Sequence, residues 1–335
     1  MTGIFAGRKL AARCVAVLLA AAGMLAISPA SSVVAAEFDP KQDNARRPQS
    51  DDELRGWLEN MVWHHRFTDE ELQLATGLKP TEISEARKRL AIDTRSPRKR
   101  QPGEPLRVLP YPGGRHPRIG FLDGAIDPQR ETKASVFTPW DPSRYVVIDV
   151  PEAIFSNLGL TYLAHTHIPT IWDEQRIELP TLEWKLEEGG VLVLQRKLPN
   201  EITFGTRLTP RDDSLGLEFW IENGTAERLR DIRVQMCGML RGAPEFASQT
   251  NDNKVFWKNY AACRNEQGTR WVIFAWTPTG RTWANPPCPC LHSDPKLPDC
   301  EPGASVRALG WLSFYEGRDI DAELRRIEAT NWQHR

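Results

Sequence analysis

Residues 215–236 read LGLEFWIENGTAERLRDIRVQM, and their period decides the fold class. Leu215, Leu217, Phe219 and Ile221 alternate with Gly216, Glu218, Trp220 and Glu222. That is the two-residue period of a strand with one buried face. Asn223-Gly224 opens a turn region, and Ile232, Val234 and Met236 resume the alternation. The stretch predicts two antiparallel strands joined by a loop. Outward from it, YVVIDV (145–150), VLVLQRKL (191–198), ITFGTRL (202–208), WVIFAW (271–276) and VRALGWLSFY (306–315) read as further strands. Strands separated by Gly- and Pro-rich turns, without alternating helices, make a mainly β protein. An antiparallel β-sandwich is expected over 106–317. An amphipathic helix near Asp319 to Glu328 then opens the C-terminal segment 318–335.

Before Leu106 the period is 3.6 rather than 2. Ser50 with Glu53 and Thr68 with Glu71 have the spacing of capping boxes, and Leu54, Trp57, Leu58, Met61 and Val62 recur at helical intervals. Gly77 stops the second helix, and Pro80 suits the first turn of a third that carries Ile83, Ala86 and Leu90. A small all-α unit is expected over 51–92. The charged, Pro-bearing segment 93–105 reads as a linker, and the polar segment 37–50 as disordered. Residues 67–92, FTDEELQLATGLKPTEISEARKRLAI, resemble a helix-turn-helix unit, with Gly77 at the turn and Ile83 at the packing position. Gln73 stands where that unit usually has Ala, so the basic face of Arg87, Lys88 and Arg89 is read as docking a protein partner or packing, not as binding DNA.

The N-terminus has the three parts of a secretory signal. Arg8, Lys9 and Arg13 are followed by an apolar run from Val15 to Ile27, and Val34-Ala35-Ala36 sets small side chains before a cut at Glu37. A signal peptide over 1–36 and a periplasmic or extracellular location are expected. The apolar run falls short of the roughly 20 residues a membrane span needs. No other run reaches that length, so no span is expected after cleavage. A net charge of -1 gives no electrostatic reason to expect nucleic acid as a partner.

Export permits disulfides. Cys237, Cys263, Cys288, Cys290 and Cys300 follow the apolar run, an odd number. Residues 285–300, NPPCPCLHSDPKLPDC, gather Cys288, Cys290, His292, Asp294 and Cys300 into what reads as one loop. Such a set could hold zinc, or a disulfide could pin the loop. Cys288 and Cys290 are too close to pair with each other, so one of them bridging Cys300 is the natural choice, with the pairing open.

Four other stretches carry chemistry. AHTHIPTIWD (164–173) supplies His165 and His167, two apart and so on one face of a strand. They are candidates for acid–base work or sugar contact, for metal binding in a cupin-like enzyme, or for structural hydrogen bonding. SQTNDNKVFWKNYAACR (248–264) sets Gln249, Asn251, Asp252, Asn253 and Lys254 beside Trp257 and Tyr260. Amides and a carboxylate next to aromatics suit sugar hydroxyls. WTPTGRTWANPP (276–287) adds Trp276, Arg281 and Trp283, and residues 115–133 add His116, Arg118, Asp123 and Arg130. No serine nucleophile elbow, phosphate loop, dinucleotide fingerprint or metalloprotease helix appears, so no cofactor is expected.

Residues 198–229, LPNEITFGTRLTPRDDSLGLEFWIENGTAERL, and 300–317, CEPGASVRALGWLSFYEG, resemble the β-supersandwich of the galactose-mutarotase-like superfamily. The shared pattern is a strand with a charged tip, an N-G-T turn and a PG turn into a long strand. The whole chain also resembles a family of exported bacterial proteins that joins a helical unit to such a domain. The first resemblance implies a His acting as acid and a carboxylate as base on a sugar ring. It also covers lyases, hydrolases and non-catalytic sugar binders, so fold does not fix function. Carbohydrate is the expected partner. His165, His167 and Asp252 are the catalytic candidates, and His116, Asn251, Trp257, Arg281, Trp283 and His292 the substrate-binding ones. The alternatives are a non-catalytic scaffold module and a cupin-like metal enzyme.

Overall fold

The computed structural model describes residues 45–94, 99–120, 130–165 and 167–334. The expected signal peptide and Asp123 lie outside the described residues. Helix α1 (Asp51–Leu58) runs into a π-helical segment, Glu59–His65, before α2 (Asp69–Thr76) and α3 (Pro80–Arg89). Each start is capped as its residues dictate. The Ser50 side chain accepts from the Glu53 N–H, and Thr68 and Glu71 form a reciprocal box. Gly77, at φ 66°, ends α2 in the left-handed region that glycine reaches without strain. Leu54, Leu58, Met61, Leu72, Ile83 and Ala86 pack into the core of these helices. Their basic face is partly neutralised from within, by Arg87 on Asp69 at 3.0 Å and Arg89 on Asp51. Arg46, in the segment expected to be disordered, donates to Leu182 O and Glu183 Oε1, each at 2.7 Å.

The strands follow: β1 (Val108–Pro110), β2 (Lys133–Phe137), β3 (Tyr145–Ser156) and β4 (Gly159–Leu163). After the short helix α4 (Ile171–Glu174) come β5 (Lys185–Leu186), β6 (Leu192–Lys197), β7 (Ile202–Pro210), β8 (Ser214–Asn223) and β9 (Arg233–Met239). Then β10 (Lys254–Trp257), β11 (Tyr260–Arg264), β12 (Arg270–Thr277), β13 (Thr279–Asn285), β14 (Cys288–Pro295) and β15 (Ser305–Glu316) lead to α5 (Ile320–Glu328). One sheet runs β1-β2-β3-β9-β14-β13, with β4 on β3. The other runs β10-β11-β12-β15-β8-β7-β6-β5. Pairing is antiparallel in both, as the alternating sequence pattern predicts.

Val146, Ile148, Val234, Met236 and Leu291 from the first sheet meet Phe204, Leu215, Leu217, Phe219 and Leu312 from the second in one core. Fully burying each such side chain contributes about 1.5–3 kcal/mol. The strands expected to pair with each other around Asn223-Gly224 do not. β8 lies in the second sheet and β9 in the first, so residues 224–232 cross between sheets. The reason is that the segment is anchored elsewhere. Asn223 Nδ2 donates to Cys300 O at 2.9 Å, and Leu229 bridges Cys300, so no tight hairpin closes. The two apolar faces then meet across the core rather than side by side.

The segment read as a Cys-rich loop is also different. Residues 288–295 form β14, buried along its whole length between β9 and β13. No disulfide joins Cys288, Cys290 or Cys300. An extended strand rises about 3.3 Å per residue, which carries Cys288 and Cys290 away from Cys300. Cys300 sits instead beside Leu229, its Sγ 3.3 Å from Ala304 O.

The outer faces of the sheets differ. Helix α5 closes the second with Ile320, Leu324 and Ile327 on Tyr260, Trp271 and Trp311. The N-terminal helices cover part of the first. Asn60 Nδ2 donates to Pro110 O at 2.9 Å, and His65 Nε2 lies 2.7 Å from Ser135 Oγ. The rest of that outer face is polar.

Candidate functional site

Alternation along β14 puts Cys290, His292 and Asp294 on one face of the first sheet, and β9 puts Gln235 and Cys237 on the same face. The register sets His292 directly opposite Cys237 and Cys290 opposite Met239. On the neighbouring strand β3, Asp149 pairs with Cys237 but Ala153 pairs with Gln235, so extra residues are inserted between them. Such a bulge re-aims side chains. Here it delivers Glu152 to the outer face, where it meets the histidines that follow β4.

Glu152 is 3% exposed. Its Oε1 lies 2.8 Å from His165 Nε2, and its Oε2 accepts from Gln235 Nε2 at 2.9 Å. Burial would raise this carboxyl, but the His165 hydrogen bond and the neighbouring His165, His292 and Arg118 outweigh it. They hold Glu152 well below the usual carboxylate range. An ionised carboxylate only accepts, so His165 Nε2–H must donate. His165 Nδ1 then faces His167 Nδ1 at 2.8 Å, the rings stacked at 4.8 Å. One proton is shared between these two nitrogens, and His167 Nε2 is the ring nitrogen left outside the pair. Burial, then the charges of His165 and Arg118, press the His167 imidazole down to about 4. At neutral pH this half-buried ring is uncharged, at the end of a chain anchored in a buried carboxylate.

Asp294 organises the other side. Its Oδ1 accepts from Met236 N at 3.1 Å, and its Oδ2 accepts from Trp283 Nε1 at 2.7 Å and Arg281 Nε at 2.8 Å. Trp283 stacks on His292, centroids 4.1 Å apart and planes 15° apart, and Arg281 lies 4.6 Å over the same indole. His292 Nδ1 is 3.8 Å from Glu152 Oε2 and 3.7 Å from Asp294 Oδ1. Burial lowers this imidazole, but Cys290, Asp294 and Glu152 together lift it to about 10. Arg118 is 7% exposed, and among the described residues its Nε and Nη2 meet no hydrogen-bond partner. Two buried donors without acceptors suit an oxygen-bearing ligand.

His165, His167, His292, Arg281 and Trp283 thus converge through Glu152 and Asp294. The remaining candidates lie elsewhere. His116 Nδ1 accepts the Arg118 N–H at 3.2 Å and shapes the turn that carries Arg118. Asn251 donates to Ala284 O at 3.3 Å, and Asp252 is exposed on the turn before β10. Trp257 stacks on Tyr260 at 5.7 Å, on the α5 side of the molecule. Asn251 thus sits against β13, beside Trp283, while Asp252 and Trp257 lie before and on β10, an edge strand of the second sheet. Trp276 is wholly buried in the core, and Arg130 lies 3.5 Å over Trp57 of α1. Glu152 and Gln235 were not singled out from sequence. The available signal for Glu152 was a carboxylate directly after Pro151 inside an apolar run.

No family model matches the chain, and no curated protein matches it. Solved structures overlap it loosely. A candidate aldose 1-epimerase from Escherichia coli K12 is 14% identical at a TM-score of 0.36, over 62% of this chain and 89% of its own. The heparan sulfate lyase HepC from Pedobacter heparinus is 10% identical at 0.36, over 76% and 43%. A candidate kojibiose phosphorylase from the human microbiome is 8% identical at 0.36, over 70% and 36%. The site described above is read from its own atoms.

Proposed function

We propose that this protein binds a carbohydrate on the outer face of its first sheet and moves a proton on it. His167 is the base, His165 and Glu152 orient it, and Arg118 holds a substrate oxygen. The observation that carries this reading is the chain Glu152–His165–His167, which runs from a buried carboxylate to a half-exposed ring with its Nε2 outside the chain. General-base work needs such a ring, neutral at operating pH and fixed in one tautomer by its partner. A sugar supplies the hydroxyl that it would deprotonate and oxygens for the two Arg118 donors without a partner among the described residues. The sequence resemblance to mutarotase-like domains points the same way.

A broad glycan array tests it. The wild-type chain is expected to retain at least one glycan, with binding weakened about tenfold or more in His167→Ala, the equivalent of about 1.4 kcal/mol. Arg118→Ala is expected to weaken the same glycan. Retention of none, or equal retention by both variants, would remove the proposal.

A further inference from the structure

We infer that Cys237, Cys290 and His292 form a metal site of the zinc class on the outer face of the first sheet. The β9–β14 register creates it. Cys237 stands opposite His292, and Cys290 is two residues along on the same face. One ligand atom from each of the three lies within 4.8 Å of the other two, and all three residues are at most 2% exposed. A tetrahedral zinc, with bonds of about 2.3 Å to sulfur and 2.0–2.1 Å to nitrogen, wants its ligands roughly 3.5–3.8 Å apart. Small side-chain rotations close that gap. Two thiolates and one imidazole also match the softness that zinc selects.

The surroundings fit a ligating histidine. Glu152 and Asp294 carboxylate oxygens face His292 Nδ1 at 3.8 and 3.7 Å, where no hydrogen bond is yet made. A metal-bound His donates its other N–H to such a carboxylate, which fixes its tautomer and orientation. Trp283, stacked on the ring, holds its plane. Three protein ligands leave a fourth position for water or a substrate oxygen.

A disulfide is the competing use of the two sulfurs, and the register disfavours it. Cys290 faces Met239, so Cys237 is its diagonal neighbour. Diagonal pairs lie about 7–8 Å apart, beyond the ~6.8 Å that a disulfide spans between Cα atoms. A metal ion bridges that distance without moving the backbone.

The test uses the full chain, purified under reducing conditions and stripped with chelator, with cobalt(II) as the optical probe. One equivalent is expected to give a thiolate-to-metal charge-transfer band and the intense visible bands of four-coordinate cobalt, both displaced by zinc. Cys290→Ser and His292→Asn are expected to lose these bands, and Cys263→Ala, a buried cysteine outside the cluster, to keep them. Should the site variants not fold, zinc on the wild-type chain is expected to protect Cys237 and Cys290 from thiol alkylation, as mapped by mass spectrometry. No charge-transfer band, a band that survives both site substitutions, unprotected thiols, or a Cys237–Cys290 disulfide would each overturn the assignment. None of these readouts requires that the protein act on a sugar.

Discussion

Glu152 is where the first sheet concentrates its polar contacts. It accepts from His165 and from Gln235, and it lies beside His292. Truncating it leaves two buried donors without acceptors, and each unsatisfied buried group costs about 1–3 kcal/mol. Glu152→Ala is therefore expected to lower unfolding stability by about 2–5 kcal/mol in urea titrations, and Glu152→Gln by less, because the amide oxygen still accepts one hydrogen bond. A loss below about 1 kcal/mol in Glu152→Ala would mean that the chain of donors is not held by this carboxylate. The partners of Glu152 were only half legible in the sequence. His165 and His167 announced themselves by spacing, whereas YVVIDVPEAIF reads as an apolar strand. The bulge that turns Glu152 outward has no local period of its own.

At the scale of elements, the helices lock onto the first sheet through a neutral histidine. His65 Nδ1–H donates to Asn60 O at 3.1 Å, and Nε2 faces Ser135 Oγ. Burial is the main reason its imidazole falls to about 3. The Asn60 carbonyl opposes this, and Arg115 and His64 add to it. In the unfolded chain the ring titrates near ~6.5. Between these values the unfolded state binds a proton that the folded state does not. Stability from this residue is thus complete above pH ~6.5 and falls as pH drops toward 3, by about 1.4 kcal/mol per pH unit. Urea unfolding at pH 7, 6 and 5 is expected to show a shallower loss in His65→Gln than in wild type. Equal slopes would remove His65 as the cause. Element starts were well read from sequence, because caps such as Thr68 with Glu71 act over three residues. Strand β14 was missed, because its prolines and cysteines imitate a loop while its burial comes from β9 and β13 beside it and from strands of the other sheet.

Across the whole molecule, alternation fixes which residues face the core, but not which strand lies beside which. The sheet order β3-β9-β14 brings together Asp149, Cys237 and His292, whose distance along the chain leaves no trace in any local pattern. The same order puts Asp252 and Trp257 at an edge of the other sheet. The proposed ligand lies on the outer face of the first sheet, against His167 and Arg118. Crystals soaked in a glycan retained on the array test that claim most directly. The expected result is a sugar on the first sheet with a hydroxyl within hydrogen-bond reach of His167 Nε2 and an oxygen on the Arg118 donors. A sugar seated instead beside Trp257 and Asp252, or anywhere out of reach of His167, would contradict it.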